Sequence, residues 1–214
     1  RQTGASGIVT SLYHLEPGMV WKKEEIFSRL AEISGSKSHH TNLSWQVVES
    51  LPVSETIKTG AHPRDEHIKA WIESMENLSE LGIKVICYNF MPILDWTRTE
   101  LAAPMSSGAT AMYFDLLDFI AFDCFILERM NAQNDYEKKL VDEAKHRFEG
   151  FSKEKKLTLN KNITAGLPGA SEKLTFQEVK RRLESYSGID ADKLRENFKY
   201  FLDAVVPTAE KMGV

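Results

Sequence analysis

An α/β fold with parallel strands is predicted for this 214-residue chain. Three short apolar runs, at residues 7–13, 44–50 and 83–90, are rich in β-branched and aromatic residues and do not alternate with polar ones. Near-continuous apolar runs of this length are typical of parallel strands that are buried on both faces. Helical patterns lie between the runs, which indicates strands joined by helices.

The first two connections both carry a helical pattern. Residues 23–33 place isoleucine and leucine side chains on one face and end before a Ser-Gly pair. Residues 63–81 repeat the pattern, and we expect that helix to stop at Gly82 in a left-handed cap. Strands that begin at residues 7, 44 and 83 are 37 and 39 residues apart, a spacing that suits strand–helix units.

Parallel strands joined by helices form either a barrel or a doubly wound sheet. The sequence lacks both the glycine-rich turn of the dinucleotide fold and the phosphate-binding Walker loop. A (β/α) barrel is therefore favoured. Such a barrel places its functional residues at the carboxyl ends of the strands.

The alternation of predicted strands and helices ends after Phe90. Residues 91–104 read as an extended loop, 113–129 as a strongly apolar helix, and 135–149 and 152–160 as more polar helices before a turn at 166–169. The stretch from residue 91 to the turn at 166–169 is far longer than an ordinary connection between a strand and a helix. It predicts a helical insertion on the loop side of the barrel.

Two amphipathic helices are predicted to follow the insertion, at residues 175–185 and 190–211, with Asp190 as the N-cap of the second. A fourth strand should come next. The predicted parts are three strand–helix units over residues 1–98, a helical insertion over 99–170, and returning helices over 171–214.

Charge and cysteine content exclude several classes of protein. The net charge is -4, from 27 Lys+Arg against 31 Asp+Glu, and gives no reason to expect nucleic acid or an anionic membrane as partner. No apolar stretch reaches the roughly 18 residues needed to cross a bilayer. Cys87 and Cys124 lie in apolar runs and do not resemble a disulfide framework or a zinc motif. A reducing cytoplasm is the expected location.

Polar side chains follow each predicted strand at its carboxyl end, where the active sites of barrels gather. An imidazole, a carboxylate, an amide and a guanidinium together can hold a polyhydroxylated acid through its hydroxyls and its carboxylate. The candidate substrate-binding residues are His14 after the first run, Glu49 and Asn89 at the ends of the second and third, and Asp95, Trp96 and Arg98 in the following loop.

Five of the six candidates also have a purely structural interpretation. Glu49 could be solvated or a local hydrogen-bond anchor, and His14 could be a capping or packing residue. Asp95 and Arg98 are three residues apart and could pair with each other. Trp96 could fill a core or stack on the face of a sugar ring.

Other features are interpreted as structural. His39 and His40 fall in a polar loop and are expected to be solvated, and Cys87 is expected in the core. The apolar helix at 113–129 needs cover, so it is expected either in a core or at a subunit interface.

Five segments in order along the chain carry a resemblance. They read VVESLPV at 47–53, IK at 57–58, CYNFMPILDWTRT at 87–99, NITAGLPG at 162–169 and LRENF at 194–198. In these five segments the chain resembles the D-mannonate dehydratase family of hexuronate (glucuronate) catabolism. The resemblance runs from Gly4 to Val214, and the segment at 87–99 is long and highly specific.

The resemblance implies a TIM barrel of the xylose-isomerase-like kind, partial in this chain, with a helical insertion after the third strand. It also implies a cytoplasmic hydro-lyase that removes water from D-mannonate to give 2-dehydro-3-deoxy-D-gluconate, with Mn²⁺ or alternatively Fe²⁺ as cofactor. In such chemistry the metal acidifies the C2 proton, a base removes it, and the C3 hydroxyl leaves with the help of an acid. A homo-oligomer joined through the insertion is expected.

No metal ligand is assigned within this chain. Members of the family run further, and their ligands, histidines with a cysteine and an aspartate, are expected beyond Val214. The chain begins at Arg1 without Met and looks cut at both ends, so we expect a segment of a longer protein that is incomplete as an enzyme by itself.

Two other functions remain open at the level of sequence. A sugar isomerase or epimerase of the same barrel superfamily is one, because the fold alone does not fix the chemistry. A non-catalytic interaction module built around the phenylalanine-rich helix is the other.

Overall fold

The computed structural model describes residues 4–35, 41–94, 96–165 and 174–214. The chain divides into two compact units, Arg1–Pro92 with Gly188–Val214, and Ile93–Ser187. We call the first the strand unit and the second the insertion unit. In chain order the helices are α1 (Lys23–Ser34), α2 (Glu55–Thr59), α3 (Arg64–Glu80), α4 (Leu116–Ala121), α5 (Lys138–Glu149), α6 (Lys153–Ile163), α7 (Phe176–Ser185) and α8 (Ala191–Met212).

The strand unit is built on the three predicted strands, β1 (Gly7–Thr10), β2 (Ser44–Val48) and β3 (Val85–Ile86). They pair in parallel in the order β1-β2-β3, which confirms an α/β fold with a parallel sheet. The strands are shorter than the apolar runs. The pairing nevertheless extends past β3, because Cys87 N–H donates to Val48 O and Leu51 N–H donates to Cys87 O, each over 2.9 Å.

Two of the helices packed on this sheet begin and end close to their predicted bounds. For α3 the expected left-handed residue is found at Gly82, whose φ is 87°. Ile83 N–H closes the helix end on Leu78 O at 3.0 Å, the hydrogen-bond pattern of a Schellman cap. The long helix α8 begins as predicted, since the Asp190 side chain accepts from Lys193 N–H at 2.8 Å. The short α2 was not predicted, because five residues show too little periodicity.

The core of the strand unit lies between the sheet and its helices. Trp45 and Val48 of β2 are buried there, together with apolar residues of α1, α3 and α8. Burial of each large side chain contributes about 1.5–3 kcal/mol. On the other face, the register aligns Val9, Val47 and Val85 in one row across the three strands. Val9 and Val85 are 61% and 53% exposed.

Helix α8 is joined to α2 by a buried amide. Asn197 is 3% exposed, and its Nδ2 donates to Lys58 O at 2.9 Å. Gly60 ends α2 with φ 75°, and a Cβ at that position would lie 2.8 Å from Asn197 Oδ1. Glycine is therefore required both by the backbone and by the close approach of the amide.

The insertion unit opens with a β-hairpin that the sequence did not predict. Strands β4 (Glu100–Pro104) and β5 (Thr110–Tyr113) pair antiparallel, so the expected extended loop over 91–104 is wrong in its last part. The turn closes through Met105 N–H to Ala109 O at 2.8 Å, with Gly108 at φ 83°. The signal for this turn is the Ser-Ser-Gly sequence before Ala109.

The apolar helix predicted over 113–129 is wrong at both ends. It begins at Leu116, where Asp115 is the N-cap and accepts from Asp118 N–H at 3.0 Å. From Phe122 to Ile126 it widens into a π-helix, and Glu128 has φ 54°. The remaining polar helices occur as predicted, with α5 starting three residues later and α6 ending three residues later than expected.

Helix α7 belongs to the insertion unit by its contacts. Thr175 forms a capping box with Glu178, and Val179 is 1% exposed beside Phe122 and Leu127. The sequence instead grouped these residues with the returning helices. Within the described part of the chain, no helix combines the length and the apolar character needed to cross a membrane. The predicted turn at 166–169 and the histidines at 39–40 lie outside the described residues.

Candidate functional site

The carboxyl ends of β1 and β2 are tied together by hydrogen bonds. Glu49 N–H donates to Thr10 O at 3.0 Å, and Tyr13 Oη donates to Glu49 O at 3.2 Å. Next to them, the buried Ser11 hydroxyl donates to Ser50 O at 2.7 Å. Glu49, the first residue after β2, therefore has its main chain held by the last residue of β1 and by Tyr13 just beyond it.

The residue that follows β3 lies opposite Glu49. The main chain of Cys87 binds Val48 O and Leu51 N–H, which stand on either side of Glu49 and Ser50 in the sequence. Interaction with the Glu49 carboxylate, followed by burial, raises the pKa of the Cys87 thiol. The expectation of Cys87 as a core residue is corrected, since the residue is only half-buried.

The other two strand-end candidates differ in their surroundings. Asn89 is half-buried and lies two residues beyond Cys87, at the same end of the sheet as Glu49. His14 is exposed, and its Nε2 lies 2.9 Å from Glu25 Oε2 on α1. The imidazole is thus oriented by a carboxylate of the strand unit.

The loop candidates that the structure describes belong to the insertion unit. Arg98 is 7% exposed, whereas Trp96 is 59% exposed and has φ 49°. Asp95 lies outside the described residues. The main chain after Arg98 is fixed by Thr99, whose Oγ1 accepts from Asp115 N–H at 2.9 Å and whose O accepts from Asn162 Nδ2 at 2.9 Å.

Three residues near the candidates were missed by sequence reasoning. Ser11 and Tyr13 lie in the last part of the predicted run 7–13, just beyond the observed end of β1, and Cys87 precedes Asn89 by two positions. Their proximity to strand ends was the available signal. Cys87 lies opposite Glu49 because of the register between β2 and β3, and no local sequence pattern predicts that register.

Among the residues that the structure describes, no group of three or more His, Cys, Asp or Glu side chains could hold a metal ion. The described residues therefore do not fit a complete site for a divalent metal.

Comparison with known proteins gives one consistent family. The family model for D-mannonate dehydratase (UxuA) matches residues 1–214. The mannonate dehydratase of Rhizobium meliloti (strain 1021) is 43% identical over 213 residues, covering 100% of this chain and 52% of the relative. That of Marinomonas sp. (strain MWYL1) is 45% identical over 214 residues, covering 100% of this chain and 54% of the relative.

A solved structure shows the same relationship. The crystal structure of mannonate dehydratase from Streptococcus suis serotype 2 matches with a TM-score of 0.64 and 29% identity, over 99% of this chain and 45% of that one. The chain spans about half the length of the curated relatives it matches. By its full-length match to the family model and its identity to these relatives, the chain belongs to the mannonate dehydratase family.

Proposed function

We propose that the protein carrying this chain is a hydro-lyase that removes water from D-mannonate and forms 2-dehydro-3-deoxy-D-gluconate. The observation that carries the proposal is the match of all 214 residues to the family, with 43% and 45% identity to two proteins named mannonate dehydratase. A cytoplasmic location and a homo-oligomer are part of the same proposal.

The fold proposed for the whole protein is a TIM barrel of the xylose-isomerase-like kind. The parallel order β1-β2-β3 supports it, as does the row formed by Val9, Val47 and Val85. Branched side chains of this type fill the interior of closed barrels. The strands that would cover the row are proposed to come from outside residues 1–214.

The strand-end residues are proposed to bind the hydroxyl groups of the sugar acid. Glu49 can accept hydrogen bonds from two hydroxyls, and the amide of Asn89 can both donate and accept. His14, oriented by Glu25 through Nε2, can accept at Nδ1 from a hydroxyl of the substrate. These three roles use only hydrogen bonding, so they position the substrate without taking or giving a proton.

A separate proposal concerns the insertion unit. Arg98 is proposed to pair with the carboxylate of the sugar acid, since a guanidinium binds a carboxylate through two parallel hydrogen bonds. The exposed ring of Trp96 is proposed to stack on the carbon face of the sugar, and Asp95 is proposed to accept from a hydroxyl. The base that removes the C2 proton is not among these assignments.

Mn²⁺, or alternatively Fe²⁺, is proposed as the cofactor, with ligands from outside residues 1–214. When bound, such an ion supplies a Lewis acid that acidifies the C2 proton. The roles given above to Glu49, Asn89 and His14 are hydrogen bonds to the substrate and include no bond to the ion.

The experiment is product analysis with the protein at its full natural length. The protein is incubated with D-mannonate, and the products are identified by NMR. Loss of the C2 proton together with loss of the C3 oxygen supports dehydration. An isomer or epimer that keeps all its oxygens would support the other barrel chemistry instead. Treatment with EDTA followed by addition of Mn²⁺ or Fe²⁺ tests the cofactor in the same assay.

A further inference from the structure

The segment after β2 extends beyond the main-chain ladder that joins it to β1. Strand β1 ends at Thr10, which is in register with Val48. Among the described residues, the last main-chain bond from β1 to this segment joins Thr10 O to Glu49 N–H at 3.0 Å. The oxygens of Glu49 and Ser50 come next along the chain. Because Ser11 beside them is buried, these oxygens require donors from within the protein.

Two side-chain hydroxyls from the segment after β1 supply the donors. The hydroxyl of Tyr13 donates to Glu49 O at 3.2 Å, and that of Ser11 donates to Ser50 O at 2.7 Å. Donors and acceptors all lie just beyond the ends of their strands, at the carboxyl end of the sheet. Unlike the bonds of the ladder, these two depend on residue type, so a substitution that removes the hydroxyl removes the bond.

The segment after β3 holds the same stretch from the other side by its main chain. Cys87 N–H donates to Val48 O, and Cys87 O accepts from Leu51 N–H, each over 2.9 Å. The peptide group before Glu49 is therefore bonded on both sides, and the group after it is held through the Tyr13 hydroxyl. Since the main chain sets the direction of Cα–Cβ, these bonds fix the point from which the Glu49 side chain extends.

We propose that Ser11 and Tyr13 are positioning residues for Glu49, whose carboxylate they place against the substrate by fixing the main chain after it. This inference rests on the proposed function, in which Glu49 accepts hydrogen bonds from hydroxyls of the sugar acid. It adds two residues that act through Glu49 and do not themselves touch the substrate. A displacement of a binding group by about 1 Å is enough to weaken its bonds to a substrate strongly.

Tyr13→Phe tests the role without disturbing the core, because the side chain is exposed and the ring is kept. In the full-length protein with D-mannonate, kcat/KM should fall about threefold to tenfold, mainly through KM, at an unchanged Tm. Tyr200→Phe is the matched control, since this exposed tyrosine donates to Asp65 Oδ1 at 3.0 Å instead, and its kcat/KM should equal that of wild type. Wild-type kinetics in Tyr13→Phe would overturn the role of Tyr13.

Ser11→Ala removes the second donor and leaves Ser50 O without it, so stability and kcat/KM should both fall. Ser74→Ala is the matched control in the same unit. Its buried hydroxyl accepts from Trp21 N–H at 2.9 Å and donates to Ala70 O at 2.6 Å, so its loss should lower Tm and leave kcat/KM of the folded protein unchanged. Equal losses of kcat/KM in the two variants, or none in Ser11→Ala, would overturn the role of Ser11.

A double-mutant cycle shows whether the hydroxyls act through Glu49. In a Glu49→Ala background the carboxylate is already lost, so Tyr13→Phe and Ser11→Ala should each cause no further loss of kcat/KM. Losses that multiply with that of Glu49→Ala would overturn the positioning role, even if each single variant is impaired.

These experiments separate the inference from the proposed function. A wild type that does not dehydrate D-mannonate contradicts the proposed function, and with it the positioning role. An active wild type in which Tyr13→Phe and Ser11→Ala keep wild-type kinetics contradicts the positioning role alone.

Discussion

Asn162 donates from its side-chain Nδ2 to the main-chain oxygen of Thr99 over 2.9 Å. Thr99 is 1% exposed and ends the segment 87–99, while Asn162 opens the segment 162–169. The bond therefore joins two of the segments by which the chain resembles its family. It also fixes the main chain immediately after Arg98.

Asn162→Ala should destabilise the insertion unit. The substitution leaves the buried Thr99 carbonyl without this donor, at a cost of about 1–3 kcal/mol. Urea unfolding measures the change, and Asn134→Ala, at an exposed position, is the matched control with an expected effect within about 0.5 kcal/mol. Equal effects of the two substitutions would show that the bond to Thr99 contributes nothing.

Gly60→Ala should cost more than Gly82→Ala, although both glycines have a positive φ, of 75° and 87°. A Cβ at Gly60 would lie 2.8 Å from Asn197 Oδ1, whereas nothing lies within 4 Å of a Cβ at Gly82. Each substitution pays about 1–2 kcal/mol for the left-handed backbone. Only the first also disturbs the bond from Asn197 to Lys58, which adds about 1 kcal/mol. The difference in unfolding free energy is the measured quantity, and a difference of zero contradicts the account.

Asp123→Asn should lower the free energy of unfolding more than Asp135→Asn. Both carboxylates bind Arg129 at 2.7 Å, but the side chain of Asp123 is 6% exposed and that of Asp135 is 59% exposed. Asp123 also accepts from Tyr136 Oη at 2.7 Å. Loss of the Asp123 charge should cost about 1–3 kcal/mol, because its bonds to Arg129 and Tyr136 weaken while Arg129 keeps Asp135 as a partner. Loss of the Asp135 charge should cost about 0–1 kcal/mol. Thermal or urea unfolding measures the loss of stability in each variant. Comparable losses in the two variants would argue against a buried ion pair.

Asp115 should make stability depend on pH in the acid range. Burial raises the pKa of its carboxyl, but hydrogen bonds from Asp118 N–H and Arg147 outweigh burial, so the pKa is lowered. A carboxyl with a lowered pKa in the folded state stabilises it above the pKa of the unfolded state, near 3.9, and loses this contribution as the pH falls through the folded value.

The test compares wild type with Asp115→Asn in urea unfolding from pH 6 down to pH 2. Asparagine keeps the N-cap but has no charge for Arg147. The advantage of wild type should therefore shrink as the pH falls. The variant Asp142→Asn, at an exposed position, supplies the baseline for removal of a surface carboxylate. A gap between wild type and Asp115→Asn that stays constant with pH would contradict the role of the Arg147 pair.

Local patterns predicted the regular elements because each buries a continuous apolar face. The runs at β1, β2 and β3 and the helices α1, α3 and α8 all belong to one core, so their periodicity reports their packing. The hairpin β4-β5 escaped prediction since all four residues of β5 are exposed and carry no inside–outside alternation. The π-helix at Phe122–Ile126 departs from an α-helix by hydrogen-bond pattern alone, which hydrophobic residues do not reveal.

The placement of Glu49 and Asn89 at one end of the sheet was predictable from the sequence, but the contacts around them were not. Glu49 and Asn89 follow strands, and parallel pairing brings the carboxyl ends of β2 and β3 to one edge. The position of Cys87 opposite Glu49 was not predicted, because an apolar neighbourhood in the sequence resembles a core. The pairing of His14 with Glu25 joins a loop to α1 and likewise requires the folded chain.

The central claim, that the strand ends of this chain bind D-mannonate for dehydration, is tested most directly by turnover of D-mannonate in parallel by full-length wild type, Glu49→Gln and Asn89→Ala. The wild type should form 2-dehydro-3-deoxy-D-gluconate, and each variant should lose about tenfold in kcat/KM at an unchanged Tm, as expected for loss of a hydrogen bond to the substrate. No product from the wild type, or variants with wild-type kinetics, would contradict the claim.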